Sequence, residues 1–79
     1  MTRSLVQENN WRLNGEFSVA YRGDVIFVMQ RNRFAGRKNR YNLVVLCNSM
    51  RNVILLADEC PPGQCRRLAQ KFCEDRGHE

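Results

Sequence analysis

Long apolar runs are missing from this chain of 79 residues. No stretch of about 18 apolar residues, the length of a membrane-spanning helix, occurs in it. Residues 1–11 (MTRSLVQENNW) also lack the apolar segment of a signal peptide. We therefore expect a cytoplasmic protein that makes no contact with a membrane. In that compartment its four cysteines are expected to be reduced thiols rather than disulfides.

Signatures of catalysis and metal binding are missing as well. The single histidine, His78, is the last residue but one, so a Cys–His nucleophile pair has little support. Cys60, Cys65 and Cys73 are spaced too widely for the C-x2-C knuckle of a structural zinc site, and Cys65 and Cys73 belong to an apolar helical stripe. We expect no enzymatic activity, no metal and no cofactor.

Lysine is scarce, and one stretch has no acidic residue. Only Lys38 and Lys71 are lysines, and the other basic residues are arginines. Residues 31–40 (RNRFAGRKNR) contain five of the 13 basic residues, and the eight basic residues elsewhere balance the eight acidic ones. The net charge of +5 therefore belongs to this stretch. The planar guanidinium of arginine suits phosphates and base edges better than a lysine ammonium does.

The pattern of apolar residues predicts strands over most of the chain. Asn14-Gly15 and residues 22–24 (RGD) are turn signals, and a three-residue loop at each would place apolar residues opposite one another. In the second hairpin this register pairs Tyr21 with Val25, Val19 with Phe27, and Phe17 with Met29. Two further strands are predicted at residues 41–47 (YNLVVLC) and 53–58 (VILLAD).

A single helix is predicted after the last strand. Pro61-Pro62 favour its first turn, and Gly77 is expected to end it. Asp58-Glu59 are expected to cap its start. Apolar residues recur at helical spacing and predict one buried stripe, formed by Cys65, Leu68, Ala69, Phe72 and Cys73.

Together these elements predict one α+β domain over residues 11–77, with a four- to five-stranded antiparallel meander sheet and one C-terminal helix packed on one face. Residues 1–10 are expected to form a loose or edge segment. The strands before and after the basic stretch are apolar on both faces, and one helix covers only one face. The apolar character of the uncovered face predicts a homodimer. The alternative is that the N-terminal residues cover this face within the same chain.

The basic stretch is the candidate contact site. Its ten residues exceed the usual hairpin loop of about 2 to 5 residues, which favours a function. Arg66 and Arg67 lie in the first turns of the helix, where the helix dipole disfavours cations, so they either extend this site or pair with Asp58 and Glu59. The candidate nucleic-acid-binding residues are Arg31, Arg33, Phe34, Arg37, Lys38, Arg40, Arg66 and Arg67. The alternative is a solvated loop.

Four antiparallel strands followed by one helix, over about residues 16–76, resemble the topology of the PUR-repeat and Whirly proteins and, more loosely, of one family of transcriptional coactivators. This resemblance implies binding of single-stranded nucleic acid and dimerisation. The aliphatic second face departs from those families and suits a protein interface better.

Our hypothesis is a small non-enzymatic protein that binds RNA or single-stranded DNA through residues 31–40. The alternative is a protein–protein interaction module, such as a small phage or mobile-element regulator or inhibitor that docks on an acidic surface of a host protein.

Overall fold

Five strands and one helix make up the fold. The computed structural model describes residues 4–32, 39–47 and 52–76. After a short 3-10 helix at Glu8–Asn10 the elements are β1 (Arg12–Asn14), β2 (Phe17–Arg22), β3 (Val25–Arg31), β4 (Tyr41–Cys47), β5 (Asn52–Cys60) and α1 (Pro62–Arg76). The strands form one antiparallel sheet in chain order, and α1 packs on it. The predicted α+β meander with a C-terminal helix is therefore confirmed.

The loop between β2 and β3 is shorter than predicted. Arg22 pairs with Val25, so the loop consists of Gly23 and Asp24 alone, and the predicted three-residue loop is wrong. Gly23 has a φ of 58°, the positive value that glycine supplies at the first position of a two-residue type II′ loop. Glycine therefore closes the hairpin with one residue fewer, and Arg22 joins the strand.

This register exchanges the two faces of β2. Ala20, rather than Val19, lies opposite Phe27, because a shift of one residue moves every side chain to the other side of the sheet. The helix side already holds large rings: Phe27 contacts Trp11 and Phe72 edge-on, with ring centroids 6.4 and 5.7 Å apart. A close-packed core leaves room there only for a small residue.

The first hairpin shows the same correction. Asn14 pairs with Phe17, which leaves Gly15 and Glu16 as a two-residue loop, and Gly15 has a φ of 64°. The predicted three-residue loop is wrong here too, again because glycine at the first loop position permits the tighter turn.

The helix covers one face of the sheet with the predicted stripe. Cys65, Ala69, Phe72 and Cys73 are buried, and Leu68 is half-buried against the core. They pack on a layer of buried strand residues that includes Val25, Phe27, Met29, Leu43 and Val45. Each large side chain buried in this way stabilises the fold by roughly 1.5–3 kcal/mol.

The N-terminal segment differs from the loose or edge segment that was expected. Leu5 is only 1% exposed and belongs to the core. Its N–H donates to Oε1 of Gln70 at 2.8 Å, and its carbonyl accepts the indole N–H of Trp11 at 2.8 Å. With both backbone groups of Leu5 paired to side chains, a segment without regular structure can be buried without leaving unpaired polar groups.

The second face of the sheet, called here the open face, is largely apolar. Both α1 and the N-terminal segment pack against the other face, so nothing in residues 4–32, 39–47 and 52–76 covers the open face. Tyr21 is 62% exposed and Val53 70% exposed. The apolar residues of this face are Phe17, Val19, Tyr21, Ile26, Val28, Val44, Leu46, Val53 and Leu55.

Candidate functional site

Residues 31–40, the basic stretch, are called here the arginine-rich loop. The described residues at the two ends of this loop form its base, which lies at one end of the sheet. Arg31, the last residue of β3, pairs with Tyr41, the first residue of β4. The pairing continues beyond the strands, because the N–H of Asn32 donates to the carbonyl of Arg40 at 2.8 Å. The side-chain amide of Asn32 also donates to Oδ1 of Asn42 at 3.2 Å. Both ends of the loop are therefore anchored on the sheet.

The structure describes only part of the predicted loop site. Arg31 is exposed and Arg40 is half-buried, and both lie at the anchored base. Four further predicted residues lie outside the described residues: Arg33, Phe34, Arg37 and Lys38.

The start of α1 reaches the same end of the sheet. The thiol of Cys65 lies 3.8 Å from the carbonyl oxygen of Tyr41, which is next to Arg40. Arg66 follows Cys65, and its Nε donates to the carbonyl of Val6 at 3.2 Å. The fold thus brings Arg66 to the base of the loop, as the interpretation of a shared surface requires.

Arg66 and Arg67 both fold over the first turn of the helix. The Nη2 atom of each lies 4.0 Å from the position that a Cβ at Gly63 would occupy. Two guanidinium groups therefore converge above a residue that has no side chain. This pair is another concentration of positive charge at the start of the helix.

The acidic residues Asp58 and Glu59 do not have the role expected of them. They belong to β5 rather than to a cap of α1, and the N–H of Glu59 donates to Oδ1 of Asn42 at 3.1 Å. Among the described residues neither Arg66 nor Arg67 forms an ion pair with them. Both expectations are wrong because β5 extends to Cys60, which leaves only Pro61 between the strand and the helix.

A groove of about 810 Å³ opens at this end on the helix side, and it is called here the end groove. It lies within the range of roughly 300–1,000 Å³ that is typical of small-ligand pockets. Leu13, which is 78% exposed, and Met29 provide apolar walls, and Tyr41 and Arg66 lie beside them. The remaining lining residues are Gln7, Glu8, Asn9, Trp11, Ser18 and Pro62.

Four acidic residues also belong to this end of the sheet. Glu8 lines the end groove, and the carbonyl of Glu16 accepts the N–H of Arg31 at 3.4 Å. Together with Asp58 and Glu59, these two residues balance the positive charge of the arginines in the described part of this end. The positive excess therefore comes from Arg33, Arg37 and Lys38, which belong to the chain between Asn32 and Asn39.

Cys65 is a structural thiol at the junction of α1 and β4. Burial, aided by the nearby Cys60, raises the pKa of Cys65 to about 11, against the smaller opposing effect of Arg66. Its sulfur lies 3.8 Å from the carbonyl oxygens of both Tyr41 and Cys60. At neutral pH it is a protonated donor that ties the helix to the sheet, and a poor nucleophile.

The described chain has neither a metal-ligand cluster nor a membrane-spanning helix. Across residues 4–32, 39–47 and 52–76 no three Cys, His, Asp or Glu side chains are grouped so as to hold a metal ion. Within the same residues no helix has the length and apolar character needed to cross a bilayer. His78 lies outside the described residues.

Apart from Arg66, the groove-lining residues were not among the predicted site residues. Gln7 and Asn9 belong to a polar segment without periodicity, which carries no signal of a site. Tyr41 did carry one, since an aromatic residue directly follows Arg40. The groove is assembled from segments far apart in the chain, so its existence depends on the tertiary fold.

No protein-family model, curated protein or solved structure matches this chain. The resemblance to the PUR-repeat and Whirly proteins remains one of strand and helix order.

Proposed function

We propose that this protein binds RNA or single-stranded DNA at the end of the sheet that carries the loop base, the Arg66–Arg67 pair and the end groove. The observation that carries the proposal is the meeting of these arginines at one end. Arg31 and Arg40 come from the central hairpin, and Arg66 and Arg67 come from a helix that starts more than twenty residues later. Arginines gathered from separate elements form a surface rather than a local run of charge.

Phosphate contact is the main source of affinity in this proposal. Arg31 and Arg67 are exposed, so their guanidinium groups can reach a backbone phosphate without rearrangement of the fold. Arg33, Arg37 and Lys38 add charge between the anchored ends of the loop. Each phosphate that is neutralised releases condensed counterions, so binding should weaken steeply as salt is added.

The end groove favours an unpaired strand over a duplex. Its volume of about 810 Å³ is sufficient for one nucleobase, and its walls combine the apolar Leu13 with the ring of Tyr41. The amides of Gln7 and Asn9 at its rim offer donors and acceptors to the edge of a base. Only an unstacked base can enter such a groove, as in single-stranded recognition generally.

Fluorescence anisotropy with labelled single-stranded oligonucleotides, measured over a range of salt concentrations, tests this proposal. The slope of log affinity against log salt should be about −0.7 per phosphate contacted. Arg31→Ala combined with Arg67→Ala should make the slope shallower by about 1.4. Lys71→Ala is the control for loss of an exposed cation, because Lys71 lies in the third turn of α1, away from the loop base and from the open face. Absence of binding at low salt, or an equal loss in the control, would overturn the proposal.

A second candidate is a protein-interaction module that docks its arginines on an acidic protein surface. The aliphatic open face favours this class, because contiguous exposed apolar area usually marks a protein contact. Competition between an oligonucleotide and polyglutamate of equal charge separates the two. The nucleic-acid proposal expects the oligonucleotide to bind more tightly, since polyglutamate has no base to place in the groove.

A further inference from the structure

The open face of the sheet has a definite polarity along the strands. Strand pairing arranges its side chains in three rows that run across the sheet. The row farthest from the loop is apolar: Tyr21, Ile26, Leu46 and Val53. The middle row is also apolar except at its β1 edge: Arg12, Val19, Val28, Val44 and Leu55. The row nearest the loop is mostly polar: Asn14, Phe17, Gln30 and Asn42, with Asp58 and Glu59 of β5 opposite Asn42.

We propose that a second copy of this chain covers the open face, with the twofold axis parallel to the strands. The result is a sandwich of two sheets, packed face to face about 10 Å apart, as sheets with apolar faces do. This proposal does not depend on nucleic-acid binding.

The area of the open face suits a dimer. Five strands spaced about 4.8 Å apart, with about six residues each at 3.3 Å per residue, present a face of roughly 24 by 20 Å. Side chains that project from it, such as Tyr21 and Leu55, increase the accessible area above this projected value. The total approaches the roughly 800 Å² per partner that a standard stable interface buries.

The composition of the face favours a copy of itself over a nucleic acid. The charged residues among the described residues of the three rows lie at the edges of the sheet: Arg12 on β1, and Asp58 and Glu59 on β5. A polyanion would find almost no cation across the centre of this face, whereas an identical apolar face would match it. Self-complementarity of this kind is what a closed twofold dimer requires.

The direction of the axis follows from the rows. A twofold axis parallel to the strands places each row on the same row of the partner, so apolar residues meet apolar residues except at the edge, where Arg12 meets Leu55. An axis across the strands would instead place the row of Tyr21 and Val53 on the row of Gln30 and Asn42. It would also bring Arg12 close to its own copy, where like charges repel. The parallel axis avoids both costs and places β1 over the partner's β5.

This arrangement has one consequence that rests on the proposed function. An axis parallel to the strands leaves the loop-bearing ends of both sheets on the same side of the dimer. One single strand of nucleic acid could then contact both ends, and the second contact would be intramolecular. An axis across the strands would place the two ends on opposite sides.

Light scattering coupled to gel filtration tests the dimer itself. The wild type should elute with twice the chain mass of 9.3 kDa. Leu55→Lys, which puts a cation in the proposed interface opposite Arg12 of the second copy, should have the mass of one chain and an unchanged circular dichroism spectrum. Val53→Lys is a second variant at a more exposed position. Leu13→Lys is the matched control, because Leu13 is an exposed leucine on the helix side. It should remain dimeric.

Two results would overturn the dimer. One is a wild type that keeps the mass of one chain at the highest concentration at which it remains dissolved, which would assign the face to a different partner. The other is a folded Leu55→Lys or Val53→Lys variant that stays dimeric, which would place the interface elsewhere. Neither result depends on whether the chain binds nucleic acid.

Cross-linking tests the axis. In a Cys60→Ser background, Gln30→Cys on the central strand should be linked to its own copy by a short bis-maleimide, because β3 lies over the partner's β3. Leu55→Cys, in the middle row of an edge strand, should remain unlinked because its own copy lies at the far edge. An axis across the strands would instead place Leu55 on its own copy, so linkage at Leu55→Cys without linkage at Gln30→Cys would overturn the parallel axis.

Discussion

The burial of Leu5 provides a direct stability test of the fold. Leu5 is 1% exposed, and its neighbour Val6 is 42% exposed. Leu5→Ala removes three carbon atoms from the core and leaves a cavity. Leucine-to-alanine changes in well-packed cores cost about 2–5 kcal/mol. We expect the lower part of this range, about 2–3 kcal/mol, because an N-terminal segment can partly collapse into the space.

Urea denaturation, monitored by the fluorescence of the single Trp11, measures this loss. Trp11 is suited to the purpose because its indole N–H donates to the carbonyl of Leu5. For a domain of this size 1 kcal/mol corresponds to about 4–8 °C in Tm, so Leu5→Ala should lower Tm by at least 8 °C or so. Val6→Ala, compared at the same protein concentration, should change stability by less than about 0.5 kcal/mol.

A Leu5→Ala variant as stable as Val6→Ala would refute the reasoning. It would mean that residues 4–10 contribute nothing to the core, and that the segment is as loose as its polar sequence indicates. The hydrogen bonds of Leu5 with Gln70 and Trp11 would then have no measurable effect on folding.

Three further predictions test the hairpin register, the turn and the thiol. Ala20→Leu should lower the free energy of unfolding by about 1–3 kcal/mol, because Ala20 faces Phe27 in a close-packed core. An unchanged midpoint of urea denaturation would instead support the register in which Ala20 faces outward. Gly23→Ala should cost about 1 kcal/mol in thermal denaturation, because alanine is strained at a φ of 58° although no atom lies within 4 Å of its Cβ. Gly63→Ala, where φ is not positive, should show no such penalty. The contribution of Cys65 to the free energy of unfolding should be constant below pH 9. It should fall by roughly 2 kcal/mol as the pH rises from 9 towards the folded-state pKa of about 11, because the thiol of Cys65 loses its proton at a lower pH in the unfolded chain. Denaturation at pH 8 and pH 10.5 measures the fall, and Cys65→Ala should reduce it; an equal fall in that variant would exclude Cys65 as the cause.

The order of elements could be predicted from the sequence because it depends on local periodicity. Residues 41–47 form a strand in the structure as predicted, and α1 buries the predicted stripe around Ala69 and Phe72. Glycine marked the turns of the first two hairpins, and proline marked the start of the helix. The apolar character of the open face also followed from the sequence, since alternate residues of each strand must point to opposite sides.

The register of the first two hairpins could not be predicted in this way. The alternation of Phe17, Val19 and Tyr21 indicates one apolar face, and it was assigned to the same side as Phe27. In the structure these residues lie on the open face, because the rings on the helix side leave space only for Ala20. Which face is inside depends on residues that are distant in the chain.

The candidate site likewise followed partly from the sequence and partly from the tertiary structure. The sequence by itself determined that the excess charge belongs to residues 31–40, because charge is a matter of composition. Only the tertiary structure decided that Arg66 lies beside the base of this loop and that Leu13, Met29 and Tyr41 share one groove. These residues belong to separate strands and to the helix. They meet because the antiparallel order of the sheet brings the end of β3 and the start of β4 to the edge where α1 begins, and local sequence contains no record of that proximity.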